Sequence, residues 1–340
     1  MNFHLPTTQS TVVVPATTIV PAATVAPAPS QNSLTEWQDA LVKFGLDYTV
    51  EKRPLYAAIG DGHSPKLVDN LYSIVRSDTN EPLPGVAVNG RYHCIQTSEY
   101  APIGNEICQE LGAEFVRGGS LAGGRSLFLQ AKLPEPIRVK GSEDLIDKLL
   151  TFVTSHDGST CFMVVPTALR LFCKNQFNAL MHDVRQSGIK IRHTSTADIK
   201  LKEVAMKVQK ILGIYEQFEK RLNHYVDCRM SEAQMKLATT RLFGVKDGAE
   251  NVPTRTANNI ENVLRLTEEG KGQDHFQGTA YNWINAVYEY SDHERALRKG
   301  TNRFESSLVG SGSRFKAQAA GIVDDILANN TAAPVVSYAS

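Results

Sequence analysis

From Ala197 to Arg229 apolar residues recur at threes and fours: Leu201, Val204, Ala205, Val208, Ile211, Leu212, Tyr215, Phe218, Leu222, Tyr225 and Val226. That period places them on one stripe of an α-helix on the order of 45 Å long at 1.5 Å rise per residue. So long a helix overreaches a small core, and its apolar stripe needs a second surface to cover it, from this chain or from another subunit.

The segment before it supplies sheet. In 112–133, AEFVRGG and GRSLFLQAKL read as two strands joined by a glycine-rich turn. Leu127, Leu129 and Ala131 alternate with Ser126, Phe128, Gln130 and Lys132, the period-2 pattern of an antiparallel sheet with one covered face. GGSLAGG lacks the Gly-Lys-Ser/Thr ending of a phosphate loop and the spacing of a dinucleotide fingerprint, so it predicts a hairpin and no nucleotide cofactor. Ser142 opens a predicted short helix carrying Leu145, Ile146, Leu149 and Leu150, and CFMVVP (161–166) a buried strand. TALRLFCKNQFNALMHDVR (167–185) fits either strand or helix. As a helix it would set Arg170, Lys174 and Arg185 mostly off the apolar stripe, either as a solvated face or as the basic lining of a groove.

Upstream, order is expected from Ser33, which forms a capping box with Glu36. Trp37, Ala40, Leu41 and Phe44 follow on one helical face, and Gly45 closes it. Runs 48–57, 71–77 and 86–95 are β-like, with DTNEP (78–82) as the turn of an antiparallel hairpin. APIGNEICQELG (101–112) is a short helix ended by Gly112. Downstream, Ser231 and Gln234 form another capping box and Gly244 ends that helix. The loop KDGAENVPTRTANN (246–259) would present Arg255, and the aromatic helix 278–296 carries Trp283, Val287 and Tyr290 on one stripe. Tyr281, Tyr288 and Arg295 could stack on bases, though a core stripe is the commoner explanation of such aromatics. A glycine-serine loop bearing Arg314 and Lys316 leads into a last helix.

Lys+Arg and Asp+Glu balance at 36 each, so nucleic-acid binding would need a locally segregated basic patch. Cys94, Cys108, Cys161, Cys173 and Cys228 form no CxxC pair and no zinc spacing, which suggests reduced thiols and no metal. No apolar run approaches the roughly 20 residues of a membrane span. Prolines 15, 21, 26 and 28 break the apolar N-terminus, with no Lys or Arg ahead of it, so 1–32 reads as a disordered tail rather than a signal sequence. The division expected is an α+β core over 33–195, a helical region over 196–327 packing on the core or on neighbouring subunits, and a frayed tail over 328–340. A hydrolase built on His156 and Asp157 of SHDGS, with His193, is a further reading. Adjacent residues on extended chain point to opposite faces, however, and Asp-Gly is a strong turn dipeptide.

In order along the chain, LDYTVEKRPLY, SIVRSDTNEPL, GRYHCIQTSEY, GGSLAGGRSLFLQAKLP, SHDGST, ALRLFCKN, IRHT and YNWINAVYEYSDH resemble the phage- and plasmid-borne "phage/plasmid-like protein" family, classed as a domain of unknown function. The resemblance runs from about Ser33 to Leu327, with LFCKNQ at 171–176 where the family has a VVCQNT type of run. A second resemblance, of GRYHCIQTSEYAPIGNEICQELG, the hairpin ending in FLQAKL and the ALRLFCKNQFNAL segment, is to the annealing domain of the Rad fifty-two proteins. It implies an antiparallel curved sheet packed with helices, a homo-oligomeric ring, and single-stranded DNA in a positive groove. Arg170 and Lys174 would be groove residues, Arg91, Arg125 and Lys132 strand-borne contacts, and Arg192, Arg314 and Lys316 further basic contacts. The function expected is single-strand annealing in phage or plasmid recombination, in the cytoplasm of a bacterial host, with a host single-strand-binding protein as a further partner and no membrane. The alternative is an interaction protein, for counter-defence or replication, that binds a host protein without DNA.

Overall fold

The computed structural model describes residues 36–60, 64–170, 189–191, 201–246, 249, 251–299, 301–308 and 310–331. Its strands are β1 (Val50–Ala57), β2 (Lys66–Arg76), β3 (Val88–Asn89), β4 (Glu114–Leu121), β5 (Ser126–Lys132), β6 (Ile137–Arg138), β7 (Leu145–Ser155), β8 (Phe162–Arg170) and β9 (Ile189–Ile191). Its helices are α1 (Trp37–Lys43), α2 (Ala101–Leu111), α3 (Leu201–Asp227), α4 (Glu232–Leu242), α5 (Thr254–Glu269), α6 (Ala280–Glu289), α7 (Arg303–Leu308) and α8 (Ser311–Thr331). The fold is α+β. A small sheet runs β1-β2-β3 and a larger one β4-β5-β7-β8-β9, with β6 beside β7, and every pairing is antiparallel.

Local chemistry explains most element ends. Gly45, Gly112 and Gly244 follow α1, α2 and α4 at φ of 65°, 59° and 72°, the left-handed region that only glycine enters without steric cost. Ser231 caps α4 through a reciprocal box with Gln234. Ser231→Ala is therefore expected to lower stability by about 1 kcal/mol, read as a fall in the urea midpoint at unchanged m-value. Ser33 lies outside the described residues. The cap seen on α1 comes instead from Asn105 of α2, whose Oδ1 accepts the Trp37 amide at 2.7 Å while its Nδ2 donates to Glu36.

The predicted helix after Ser142 is strand β7. Ser142 makes the turn between β6 and β7, its hydroxyl donating to the Val139 carbonyl and accepting the Asp144 amide. Both faces of β7 are buried over most of its length, so its apolar residues do not alternate, and that erases the period separating strand from helix. β5 departs from expectation for the same reason. Phe128 and Gln130 are as buried as Leu127 and Leu129. On that second face Gln130 donates to the Thr151 hydroxyl at 2.9 Å, and Thr151 and Thr167 share a hydrogen bond at 2.8 Å, a polar line across β5, β7 and β8.

One cluster of buried residues runs from Trp37 to Leu327, joining the sheets to the helices. Trp37 packs edge-on to Phe115, Phe152 and Phe162 at centroid distances of 5.8, 5.3 and 6.0 Å. The long helix finds its second layer here: Tyr215 of α3 donates its hydroxyl to the carbonyls of Leu149 on β7 and Thr167 on β8. α6 is buried on all sides, the mark of a central helix. Two of its polar side chains are anchored to neighbouring elements, the Trp283 indole to Thr239 and the Asn282 amide to the Thr267 carbonyl. No helix among the described residues is long and apolar enough to cross a membrane.

Candidate nucleic-acid interface

The basic residues singled out in the sequence fall into three environments. Arg170 and Lys316 are interior. Arg170 is the last residue of β8, not part of an exposed basic helix. It is 0% exposed, ion-paired with Asp144, and donates to the carbonyls of Lys271 and Gly272 at 3.2 and 3.0 Å. Lys316 lies on α8 rather than in a loop, 1% exposed, its ammonium 2.7 Å from both an Asp292 carboxylate oxygen and the Ser307 hydroxyl. A buried cation needs an anion beside it, and both have one, so neither reaches a strand in solution. Tyr281 and Tyr288 are likewise fully buried and present no face to a base.

Arg91, Arg125 and Lys132 sit on or beside the sheet. Arg91 is exposed and Arg125 half-buried. Arg125 borders the turn at His156, whose amide donates to the Arg125 carbonyl and whose carbonyl accepts the hydroxyl of Tyr92, the residue after Arg91. Lys132, at the far end of β5, is ion-paired with Asp147 at 2.9 Å. Lys174 and Arg192 lie outside the described residues, as does His193. His156 and Asp157 belong to the β7–β8 turn, with Gly158 at φ 74°. Burial would raise the Asp157 carboxyl, but hydrogen bonds from Ser159 and Ser155 and the nearby Arg125 hold it below its ordinary value. Turn geometry thus accounts for this carboxylate.

The third environment brings together arginines from three elements. A cavity of about 400 Å³ opens among the end of α4, the first turn of α5, the chain leaving α6 and the start of α8. Its floor is aromatic: Phe243, Tyr290 and Phe315 pack against one another at 5.9, 5.5 and 6.1 Å between centroids. Arg255, Thr256 and Asn259 of α5 line it, as does Arg295. Arg255 is not in a loop as the sequence suggested, because α5 begins at Thr254, directly after Pro253. Pro253 fixes its own φ and lacks only a donor that a helix start leaves unused.

Arg295 is aimed by a π-turn. Residues Tyr290–Glu294 continue α6 with wider pitch, and the Arg295 amide closes the turn on the Tyr290 carbonyl at 2.7 Å. Its guanidinium lies 4.7 Å from the Phe315 centroid, within cation–π range. Burial pushes the Arg295 guanidinium below its ordinary value, and the charge of Arg314, on α8 next to Phe315, pushes the same way. Burial raises the Tyr290 phenol, Arg295 and Arg255 pull it back, and Glu294 pushes it up, so the charges of all three are felt at the cavity floor. The Glu294 carboxylate is held by Arg265 at 2.7 Å. Among the described residues no carboxylate pairs with Arg255, Arg295 or Arg314. Such a site attracts anions and offers planar groups an aromatic wall.

Neither the curated proteins nor the solved structures include a match to the chain. A family model does match, over residues 86–308, taking in Arg255 and Arg295 and stopping short of Arg314 and Phe315. The matched span covers well over half of the sequence, and the chain belongs to the family described as a domain of unknown function, DUF932.

Proposed function

We propose that the chain binds single-stranded DNA and anneals complementary strands as a homo-oligomer, in phage or plasmid recombination in the bacterial cytoplasm. The observation that carries this reading is the cavity. Arg255 and Arg295 line it with Phe243, Tyr290 and Phe315, the charge of Arg314 is felt at Arg295, and none of the three arginines has a carboxylate partner among the described residues. Phosphate neutralisation and base stacking are the two terms that single-strand binding needs. Arg125, at the His156 turn, and Arg91 extend the basic surface in this reading, while Arg170 and Lys316 support it only by holding the fold together.

Anisotropy of a labelled oligonucleotide across a salt series tests it. Log affinity is expected to fall linearly with log salt, and Arg255→Ala, Arg295→Ala and Arg314→Ala together should flatten the slope by roughly 2, at about 0.7 per phosphate contact on a single strand. Absence of binding at low salt, or binding indifferent to salt, overturns the reading.

One observation favours the alternative, a host-protein partner. Tyr56, Ile59 and Leu67, around the end of the β1–β2 hairpin, are 59%, 44% and 58% exposed, and exposed apolar groups gathered on one projection suit a protein contact. Loss of a copurifying host protein on Tyr56→Ser/Leu67→Ser, in a preparation that binds no DNA, would establish it.

A further inference from the structure

We infer that the Arg255–Arg295 cavity receives the phosphorylated end of a strand, a terminal phosphomonoester with its nucleoside. The inference rests on the single-strand reading and narrows it. Size is the first argument. A volume of about 400 Å³ sits low in the range of roughly 300–1,000 Å³ for small-ligand sites. That is room for one nucleotide. The packed rings of Phe243, Tyr290 and Phe315 form part of the cavity lining.

Charge is the second argument. An internal phosphodiester carries one negative charge, whereas a terminal phosphomonoester carries about −1.5 to −2 and offers three strong acceptor oxygens. Two guanidiniums line the cavity, a third stands close enough to shift one of them, and the nearest carboxylate, Glu294, is spent on Arg265. Arginine forks bind phosphate oxygens in pairs, so Arg255 and Arg295, both in the lining, suit a group that has oxygens to share. Thr256 and Asn259 add neutral hydrogen-bonding groups beside Arg255. The first turn of α5 carries no acidic side chain and no side-chain cap, so its orphan amides add to the positive potential without making the site by themselves.

The aromatic wall is the third. Phe315 already holds the Arg295 guanidinium against its face, which orients the fork; Tyr290 and Phe315 are themselves buried, so the half-buried Phe243 is the ring a terminal base would meet. Stacking of this kind tolerates any base, so the end is selected by its phosphate and not by its sequence.

The test uses the full chain and three oligonucleotides of one sequence, carrying a 5′-phosphate, a 3′-phosphate or hydroxyls at both ends, in anisotropy at one moderate salt concentration. One phosphorylated form is expected to bind at least about tenfold tighter than the hydroxyl form, the effect of a charge-assisted hydrogen bond. Arg295→Gln and Arg255→Gln should each erase that difference, with circular dichroism confirming a folded chain. Arg295→Lys, which keeps the charge and loses the fork, should erase most of it. Adenosine 5′-monophosphate in excess should remove the end-dependent part of the affinity. Equal, salt-dependent binding of all three oligonucleotides overturns the end pocket and leaves strand binding standing. Failure of every strand to bind overturns both, and if calorimetry then shows the mononucleotide bound, the cavity is a small-molecule site.

Discussion

Trp37→Ala is expected to lower the unfolding free energy by about 3–5 kcal/mol, a large part of the roughly 5–15 kcal/mol that holds a domain together. The indole is 2% exposed and meets three other rings edge-on, from β4, β7 and β8. Its N–H donates to the Thr97 carbonyl at 3.0 Å, so truncation also strands a buried acceptor. Gly104 of α2 approaches so closely that a Cβ there would stand 2.3 Å from an indole ring carbon. The indole thus locks α1, α2 and the larger sheet into one arrangement. Urea unfolding followed by fluorescence and by far-UV dichroism should show both transitions at a lower midpoint. A loss below about 1 kcal/mol, the mean for point substitutions in general, would mean that the ring cluster is not packed as described. Gly104→Ala should fail in the opposite way, by overpacking, at about 1–3 kcal/mol.

Arg170→Leu is the second large effect, about 3–5 kcal/mol, because it leaves Asp144 as a charge without its partner in the interior. Asp144 retains the Tyr281 hydroxyl at 3.3 Å, which softens the loss without replacing a cation. The carbonyls of Lys271 and Gly272 lose their donors too. Arg170→Leu/Asp144→Leu should recover much of the deficit, since an apolar pair of similar volume is often neutral where half an ion pair is not. The same variant separates a structural arginine from a groove arginine. A groove residue would flatten the salt slope of strand binding by about 0.7 and leave the urea midpoint in place. A buried one does the reverse, and the reverse is expected here.

These two residues also show where a sequence is readable. The tryptophan announced itself, because it stands on one face with Ala40 and Leu41, and the glycines that stop α1, α2 and α4 are local events with local causes. The β4–β5 hairpin was readable for the same reason: its turn glycines and the strands they join lie within a few residues of each other, although the one-sided alternation expected of β5 is not there. A charge is different. Whether Arg170 meets solvent depends on Asp144, 26 positions upstream, and on carbonyls 101 and 102 positions downstream. Lys316 is buried by Asp292, 24 positions away. Nothing near either residue distinguishes it from a solvated one. β7 misled by its thoroughness, since a strand covered on both faces keeps no alternation to detect. The cavity was invisible as a site although each of its arginines stood out alone. Positions 255, 295 and 314 share no motif, and only the packing of α5, the π-turn and α8 collects them.

The π-turn makes that collection depend on chain length as well as on chemistry. With 3.6 residues to an α-helical turn, each residue advances the chain by about 100°. The wide turn at Tyr290–Glu294 acts as a shim one residue thick. Remove that residue and the segment tightens to α-helix, carrying Arg295 about a quarter-turn off the Phe315 ring and twisting the pairing of Asp292 with Lys316 out of line. Substitutions at the arginines alter the site by degrees, whereas a single codon deletion between Tyr290 and Glu294 would dismantle it at once with every arginine still encoded.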